Sequence, residues 1–450
     1  MNNTLQRRKF LKLSAALSAL GLIGGPGLIP QARSAEFTDY KCLVNVFLLG
    51  GNDSFNMLVP RSDAEYNIYA ASRQNLAIAQ EALLPISPLD SDGILYGFHP
   101  MATGLQGLFE SGDLAVVSNV GPLLEPVSKD DYLNGNTLLP PQLFSHNDQR
   151  NQWQSLRGTT TLSTGWAGRI ADSLADDLSG QMLPTNISTS GNSRFQSGES
   201  TSPYTVNNSG ASSYAAFRRN AEYGSERQAS FERQLTNGFD NIHSRALADI
   251  HSRSLLYADL INDALRLVPE LDTPFPDSRL GRRLRIVARL LAVKDEFEVN
   301  RQIFYITTGG FDTHNDQNQD QPDLLMDLGD CLLAFQTAMT EIGLSDQITT
   351  FTQSDFGRTL TSNGDGTDHG WGGHQLVSGG AVLGQRIFGT MPSLEIDGPD
   401  DVAGGRIIPT LSADQYAATL ANWFGVDDSS LDQIAPNLPA FNLRNLGFMA

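Results

Sequence analysis

Four short runs along the chain are apolar almost throughout, and each stops at a polar corner. Lys41 to Leu49 ends at Gly50-Gly51-Asn52-Asp53, Leu114 to Ser118 at Asn119-Val120-Gly121-Pro122, Gln302 to Thr307 at Gly309-Gly310-Phe311-Asp312, and Ile348 to Thr352 at Ser354-Asp355-Phe356-Gly357. Runs of this length suit parallel strands buried on both faces. Helical periodicity lies between them. Leu284, Val287, Ala288, Leu291 and Val293 fall near one face of Gly281 to Phe297, as do Leu325, Leu328, Leu332, Phe335 and Met339 within Pro322 to Ile342. This alternation predicts an α/β fold with a doubly wound, mostly parallel sheet flanked by helices. From Thr185 to about Ser213 the chain turns to Ser, Asn, Gly and Thr, and a polar helical stretch follows from about Ser225 to Leu267. The shift predicts a helical and loop insertion or cap over about residues 185–275, covering one side of the sheet; a flexible linker is the alternative.

The amino terminus departs from this pattern. Gln6-Arg7-Arg8-Lys9-Phe10-Leu11-Lys12 precedes a mildly apolar stretch, Leu13 to Ile23, and a small-residue region around Ala32, Ser34 and Ala35. These are the three parts of a signal peptide over residues 1–35, and the paired arginines resemble the twin-arginine export signal. The expected destination is the periplasm or beyond, with the twin-arginine translocase as a partner during export. A basic helix lying on the membrane is the alternative. No other stretch has the roughly 18 consecutive apolar residues of a spanning helix.

Among 450 residues, 31 Lys+Arg face 50 Asp+Glu, a net charge of −19, and removing the five basic groups of the leader lowers it to −24. So acidic a surface repels phosphate backbones and anionic lipid, so nucleic acid is not an expected partner. A small anionic substrate stays open, because a metal ion or a few arginines can reverse the field inside one pocket. The two cysteines, Cys42 and Cys331, have apolar flanks and read as core residues, with a disulfide as the alternative.

Gly-x-Ser-x-Gly, the phosphate-loop Gly-Lys pair, His-Glu-x-x-His and Cys-x-x-Cys are all missing. What remains is Asp and His at the ends of expected strands. Three of the seven histidines, His314, His369 and His374, lie in Gly310-Phe311-Asp312-Thr313-His314 and Thr367-Asp368-His369-Gly370-Trp371-Gly372-Gly373-His374. With Asp53, Asp312 and Asp355 they make six carboxylate and imidazole ligands expected on one sheet edge, a mixture that suits zinc, manganese or magnesium and about the number that two such ions need. Taken singly, each Asp reads equally as a turn residue or helix cap.

The motifs Gly-Gly-Asn-Asp-Ser-Phe-Asn at 50–56, Ser-His-Asn-Asp-Gln at 145–149, Gly-Gly-Phe-Asp-Thr-His at 309–314, Ser-Asp-Phe-Gly-Arg-Thr at 354–359 and the run Asn363 to His374 resemble exported bacterial proteins grouped as domain of unknown function 1501. That resemblance implies an alkaline phosphatase-like domain over residues 36–450, of the superfamily that includes sulfatases and phosphodiesterases. It implies Asp53 as the first metal ligand, and Asp312 with His314, Asp355, and His369 or His374 as later ones. Two departures stand out: His314 follows its Asp by two residues where four is commoner, and Phe356 follows Asp355 where His is usual. Ser145 stands in the nucleophile's place in chain order, ahead of a helix-compatible run, and reads equally as a plain N-cap. Ser54 is a rival nucleophile, and a water is another. Arg358 and Arg150 are candidates to hold the oxygens of an anionic ester, or structural ion-pair arginines.

The expected function is an exported metal-dependent hydrolase or transferase of phosphate, sulfate or related esters. Its expected cofactor is a divalent metal, zinc first, with Mn2+, Mg2+ or Ca2+ as alternatives. The competing expectation is a non-catalytic, metal-stabilised binding or accessory protein of the cell envelope, with an envelope polymer as its partner. A metal-free serine hydrolase is a third reading, for which the sequence places no triad.

Overall fold

The computed structural model describes residues 37–158, 164–212, 214–217, 221–268 and 270–450. The signal-peptide expectation for residues 1–35 lies outside the described residues. Fifteen strands follow in chain order: β1 Lys41–Leu49, β2 Leu58–Pro60, β3 Leu84–Ile86, β4 Tyr96–Phe98, β5 Leu114–Gly121, β6 Asn186–Ser188, β7 Tyr204–Asn207, β8 Gly210–Ala211, β9 Arg301–Gly309, β10 Ile348–Ser354, β11 Arg358–Ser362, β12 Thr367–His369, β13 Gly373–Ser378, β14 Arg386–Phe388 and β15 Leu411–Ser412. The longer helices are α1 Asp63–Arg73, α2 Thr103–Glu110, α3 His146–Ser155, α4 Trp166–Ser173, α5 Gly224–Leu235, α6 Ile242–Leu265, α7 Arg279–Leu291, α8 Gln317–Glu341 and α9 Ala413–Phe424.

The main sheet runs β14-β5-β13-β10-β1-β9-β6-β7-β8, with β15 also on β5. The four apolar runs are β1, β5, β9 and β10. β1 pairs in parallel with both β9 and β10, and Leu48 lies opposite Thr308 on one side and Ser354 on the other. Two strands break the parallel pattern: β8 at the sheet's edge runs antiparallel to β7, and the central β13 runs antiparallel to both β10 and β5. Its sequence, Gly-His-Gln-Leu-Val-Ser, lies at the end of the glycine-rich 363–374 run, and nothing local to it announces a central strand.

Alternation along β1 divides the core in two. Cys42, Val44, Val46 and Leu48 enter one cluster with residues of α2, α7 and α8, whereas Leu43 and Phe47 enter another with Trp166, Tyr416 and Phe424. The fold is therefore α/β with a mostly parallel sheet covered by helices on both faces. Cys42 and Cys331 are free, buried thiols of the first cluster, and burial pushes both well above the ordinary thiol range. The 185–275 segment is more than a cover. β6 pairs with β9 and β7 with β6, so its first part extends the sheet, and α5 and α6 follow. Among the described residues no helix is long and apolar enough to cross a membrane.

Candidate metal centre

Because β1, β9 and β10 are parallel neighbours in register, their carboxyl ends deliver Asp53, Asp312 and Asp355 to one edge, where open α/β sheets bind ligands. Gly50 makes the close approach between the first two loops. At φ +118°, an added Cβ would lie 2.4 Å from the Asp312 amide nitrogen. The β11–β12 hairpin pairs Arg358 with His369 and brings both to the same edge.

Three imidazole nitrogens converge on the Asp312 carboxylate. His146 Nε2 lies 3.3 Å from Oδ2; His314 Nε2 and His369 Nε2 lie 3.2 and 3.6 Å from Oδ1. The His146, Asp312 and His369 ligand atoms all fall within 4.8 Å of one another. Ions about 2.1 Å from tetrahedral ligands separate those ligands by roughly 3.4 Å, so the two His-to-Asp spacings leave room for a shared cation as well as for an ion pair. The opposite ring nitrogens are anchored. His146 Nδ1 is 2.9 Å from Asp355 Oδ2, His314 Nδ1 is 3.2 Å from Asp368 Oδ1, and His369 Nδ1 donates to the Phe144 carbonyl at 2.7 Å. An imidazole that gives its Nδ1 proton to an oxygen presents the Nε2 lone pair, the outer-sphere arrangement of metal-binding histidines. His146 Nε2 accordingly has no hydrogen-bond partner although it is buried.

The local chain explains these positions. His146 is the first residue of α3, fixed by a turn in which Phe144 adopts φ +71°, a conformation bulky residues rarely take. His314 donates its amide to the Asp312 carbonyl at 2.9 Å, and this tight turn lets a two-residue spacing bring His314 Nε2 to the Asp312 carboxylate. Phe356 stands where the resembled superfamily has His. Its ring packs on the His146 and His369 imidazoles, with centroids 4.7 and 4.5 Å away.

Burial pushes the Asp312 carboxyl up, but the Arg358 hydrogen bond and charge, with His146 and His314, outweigh it and hold the group below its usual range. Burial lowers His369, with His146, Arg358 and His314 adding to the effect. Both groups are thus biased toward their ligating forms.

Of the six expected metal ligands, Asp312, His314 and His369 come together. Asp355 stands one layer behind, where it takes Arg150 Nε at 2.8 Å and Nη2 at 3.0 Å, the Gly50 amide and His146. Asp53 and His374 are placed elsewhere, so the six do not share one ion. Asp53 is buried against Arg73 and Gln317. His374 belongs to the antiparallel β13; its ring is buried edge-on against Phe55, Nδ1 accepts from the Asn119 amide, and burial lowers it to about 3. His146 was absent from the expected set. Its signal was available in Ser-His-Asn-Asp-Gln, read there for its serine alone.

Ser145 occupies the N-cap position of α3, but its hydroxyl donates to Asp148 Oδ2 at 2.6 Å and does not cap the helix. Ser54 Oγ is buried and accepts from the His374 amide. Both candidate arginines are paired. Arg150 grips Asp355, and Arg358 reaches Asp312 at 2.7 Å, Gly50 O at 3.2 Å and Thr367. Neither holds its guanidinium free for an ester.

Fold and site define an α/β protein with a histidine–carboxylate centre at the strand ends of a doubly wound sheet. The family model described as "Protein of unknown function (DUF1501)" matches residues 121–429, and the chain belongs to that family. No curated protein matches it. Among solved structures, Ps i-CgsB is similar at 10% identity over 90% of this chain and 77% of that one, with a TM-score of 0.37. Ps i-CgsB in complex with k-i-k-neocarrahexaose gives 8% identity, 89% and 77% coverage, and a TM-score of 0.34. A chain from Bacteroides thetaiotaomicron, described under the metabolism of multiple glycosaminoglycans, gives 10%, 87% and 74%, and 0.33.

Proposed function

We propose that this protein is an exported, metal-dependent hydrolase of small anionic esters, phosphate or sulfate, with its cation held by His146, Asp312 and His369. The observation that carries the proposal is the convergence of His146 Nε2 and His369 Nε2 on one carboxylate, each ring oriented from behind by an oxygen acceptor, with His369 Nε2 also 2.8 Å from His314 Nε2. Two imidazoles and a carboxylate favour zinc or manganese over calcium, which takes oxygen ligands. His146, Asp312 and His369 would be three protein ligands, the number catalytic zinc sites use; His314, about a third exposed, lies 3.2 Å from Asp312 beside them. Export is proposed from the Arg7-Arg8 leader.

A bound divalent cation would supply Lewis acidity toward an ester oxygen. The chain supplies the rest. Ser145 lies between Phe144, whose carbonyl holds His369, and His146, so its hydroxyl is carried on the same turn as two parts of the centre. Asp148, 2.6 Å from Ser145 Oγ, is placed to take the hydroxyl proton as Oγ attacks the phosphorus or sulfur; the ester C–O oxygen leaves with that proton as the alcohol, and water then cleaves the Ser145 ester to release the phosphate or sulfate and restore the hydroxyl. The uncapped amino terminus of α3 favours negative charge beside it. Asp355 and Arg358 keep His146 and Asp312 in place.

The pairing of Arg150 and Arg358 with carboxylates favours a second reading, a non-catalytic metal-stabilised binding protein, since neither arginine is free to clamp an ester. Zinc- or manganese-loaded protein assayed on phosphomonoesters, phosphodiesters and sulfate esters separates the two. The proposal expects turnover that Ser145→Ala reduces by at least 10²-fold with metal content unchanged. Stoichiometric metal without turnover in any class supports the binding protein.

A further inference from the structure

We infer that the Arg73 guanidinium fills the place of a second cation, so that the protein holds one exchangeable metal ion and not two. The inference rests on the metal-centre reading above and extends it to the neighbouring carboxylate, Asp53.

Asp53 and Arg73 are both fully buried and directly paired. Arg73, the last residue of α1, also donates through Nη1 to the carbonyls of Thr359 at 2.9 Å and Leu360 at 3.2 Å. Its head group is thus surrounded by a carboxylate and two backbone carbonyls, an oxygen-only shell of the kind hard cations take. Asp53 Oδ1 is buried without a hydrogen-bond partner, so the carboxylate keeps acceptor capacity that the arginine does not use. From Asp53 the polar contacts run on through Gln317 to Thr367, then to Arg358 and Asp312. The cradle is therefore adjacent to the histidine centre without sharing a ligand with it.

The fixed cation ties α1 to β11 through its hydrogen bonds to the Thr359 and Leu360 carbonyls.

Metal counting and thermal unfolding test the inference, using the full mature chain. Wild type is expected to bind one zinc or manganese per chain and to show no Tm response to millimolar Ca2+ once loaded. Arg73→Ala, which leaves Asp53 buried and unpaired, is expected to lower Tm by roughly 5–15 °C, with saturable recovery on adding Ca2+ or Mg2+. The Asp53→Asn/Arg73→Ala double variant should give no Ca2+ response. Two ions per wild-type chain would overturn the inference, and this count stands if Arg73→Ala does not fold. So would a folded Arg73→Ala chain indifferent to both hard cations. Zero zinc or manganese on wild type would sink the metal-centre reading, whereas Ca2+ rescue of Arg73→Ala depends on the cradle alone.

Discussion

Asp355→Asn is the most informative single change, because Asp355 stands behind His146, Asp312 and His369 and acts through what it holds. Its carboxylate is fully buried and takes both Arg150 nitrogens, the Gly50 amide and His146 Nδ1. Asparagine offers one acceptor oxygen where four hydrogen bonds now end, and its amide group meets donors. Breaking a buried ion pair costs about 3–5 kcal/mol. Arg150 is about a third exposed, so it rehydrates and the loss should fall toward about 2–3 kcal/mol. The effect on metal follows from His146 losing the acceptor that fixes its ring. Removing such an outer partner costs roughly 10–100-fold in affinity, or about 1.4–2.7 kcal/mol. Zinc affinity read by competition with a chromophoric chelator, alongside urea unfolding of the metal-free chain, separates the two losses. Asp368→Asn is the comparison: Asp368 is half exposed and holds His314 and Asn363, neither of them an assigned ligand, so its effect should be several-fold smaller. Unchanged zinc affinity in a folded Asp355→Asn chain would refute the reasoning that His146 is a metal ligand oriented from behind.

Asp414 is buried beside Asn437 and Ser412, and burial pushes it up from 3.8 to about 7. The folded chain keeps this proton where the unfolded chain has lost it, so the contribution is complete below about pH 4 and is lost as pH rises to about 7. The slope is at most about 1.4 kcal/mol per pH unit; Asp414→Asn should flatten it in denaturant titrations between pH 4 and 8, and an unaltered pH profile would contradict this. Gly50→Ala forces a Cβ into the Asp312 amide at φ +118°, and should cost about 1–3 kcal/mol while weakening zinc binding; a variant with wild-type zinc affinity would show that the loop can yield. Ser145→Ala should leave the metal and remove turnover, as measured by ester hydrolysis alongside metal analysis.

The four strands and the two amphipathic helices α7 and α8 were legible because their residues carry the period of the element and are buried as it demands. β13 was not. Its glycines and histidine read as part of a loop, and only its place between β10 and β5 makes it a strand. The same tertiary fact removes His374 from the centre, since a central strand buries its side chains. Asp312, His314 and Asp355 are legible from their positions after expected strands, and His369 from the glycine-rich run at 363–374. Asp53 followed the same rule yet faces Arg73, a residue twenty positions on whose approach depends on α1 folding back. His146 lies at a helix start, not at a strand end, and a search along strand ends passes over it. The short β6 and β7 lay in a Ser-, Asn- and Gly-rich segment, where pairing with β9 supplies the order that composition does not.

The central claim is that His146, Asp312 and His369 bind one divalent cation. A crystal of zinc- or manganese-loaded protein, with anomalous data collected on either side of the metal edge, tests it most directly. The account predicts a single full-occupancy peak about 2.0–2.2 Å from His146 Nε2, His369 Nε2 and an Asp312 oxygen. An anomalous map with no peak there, and His146 Nε2 turned to a protein hydrogen bond instead, would contradict it.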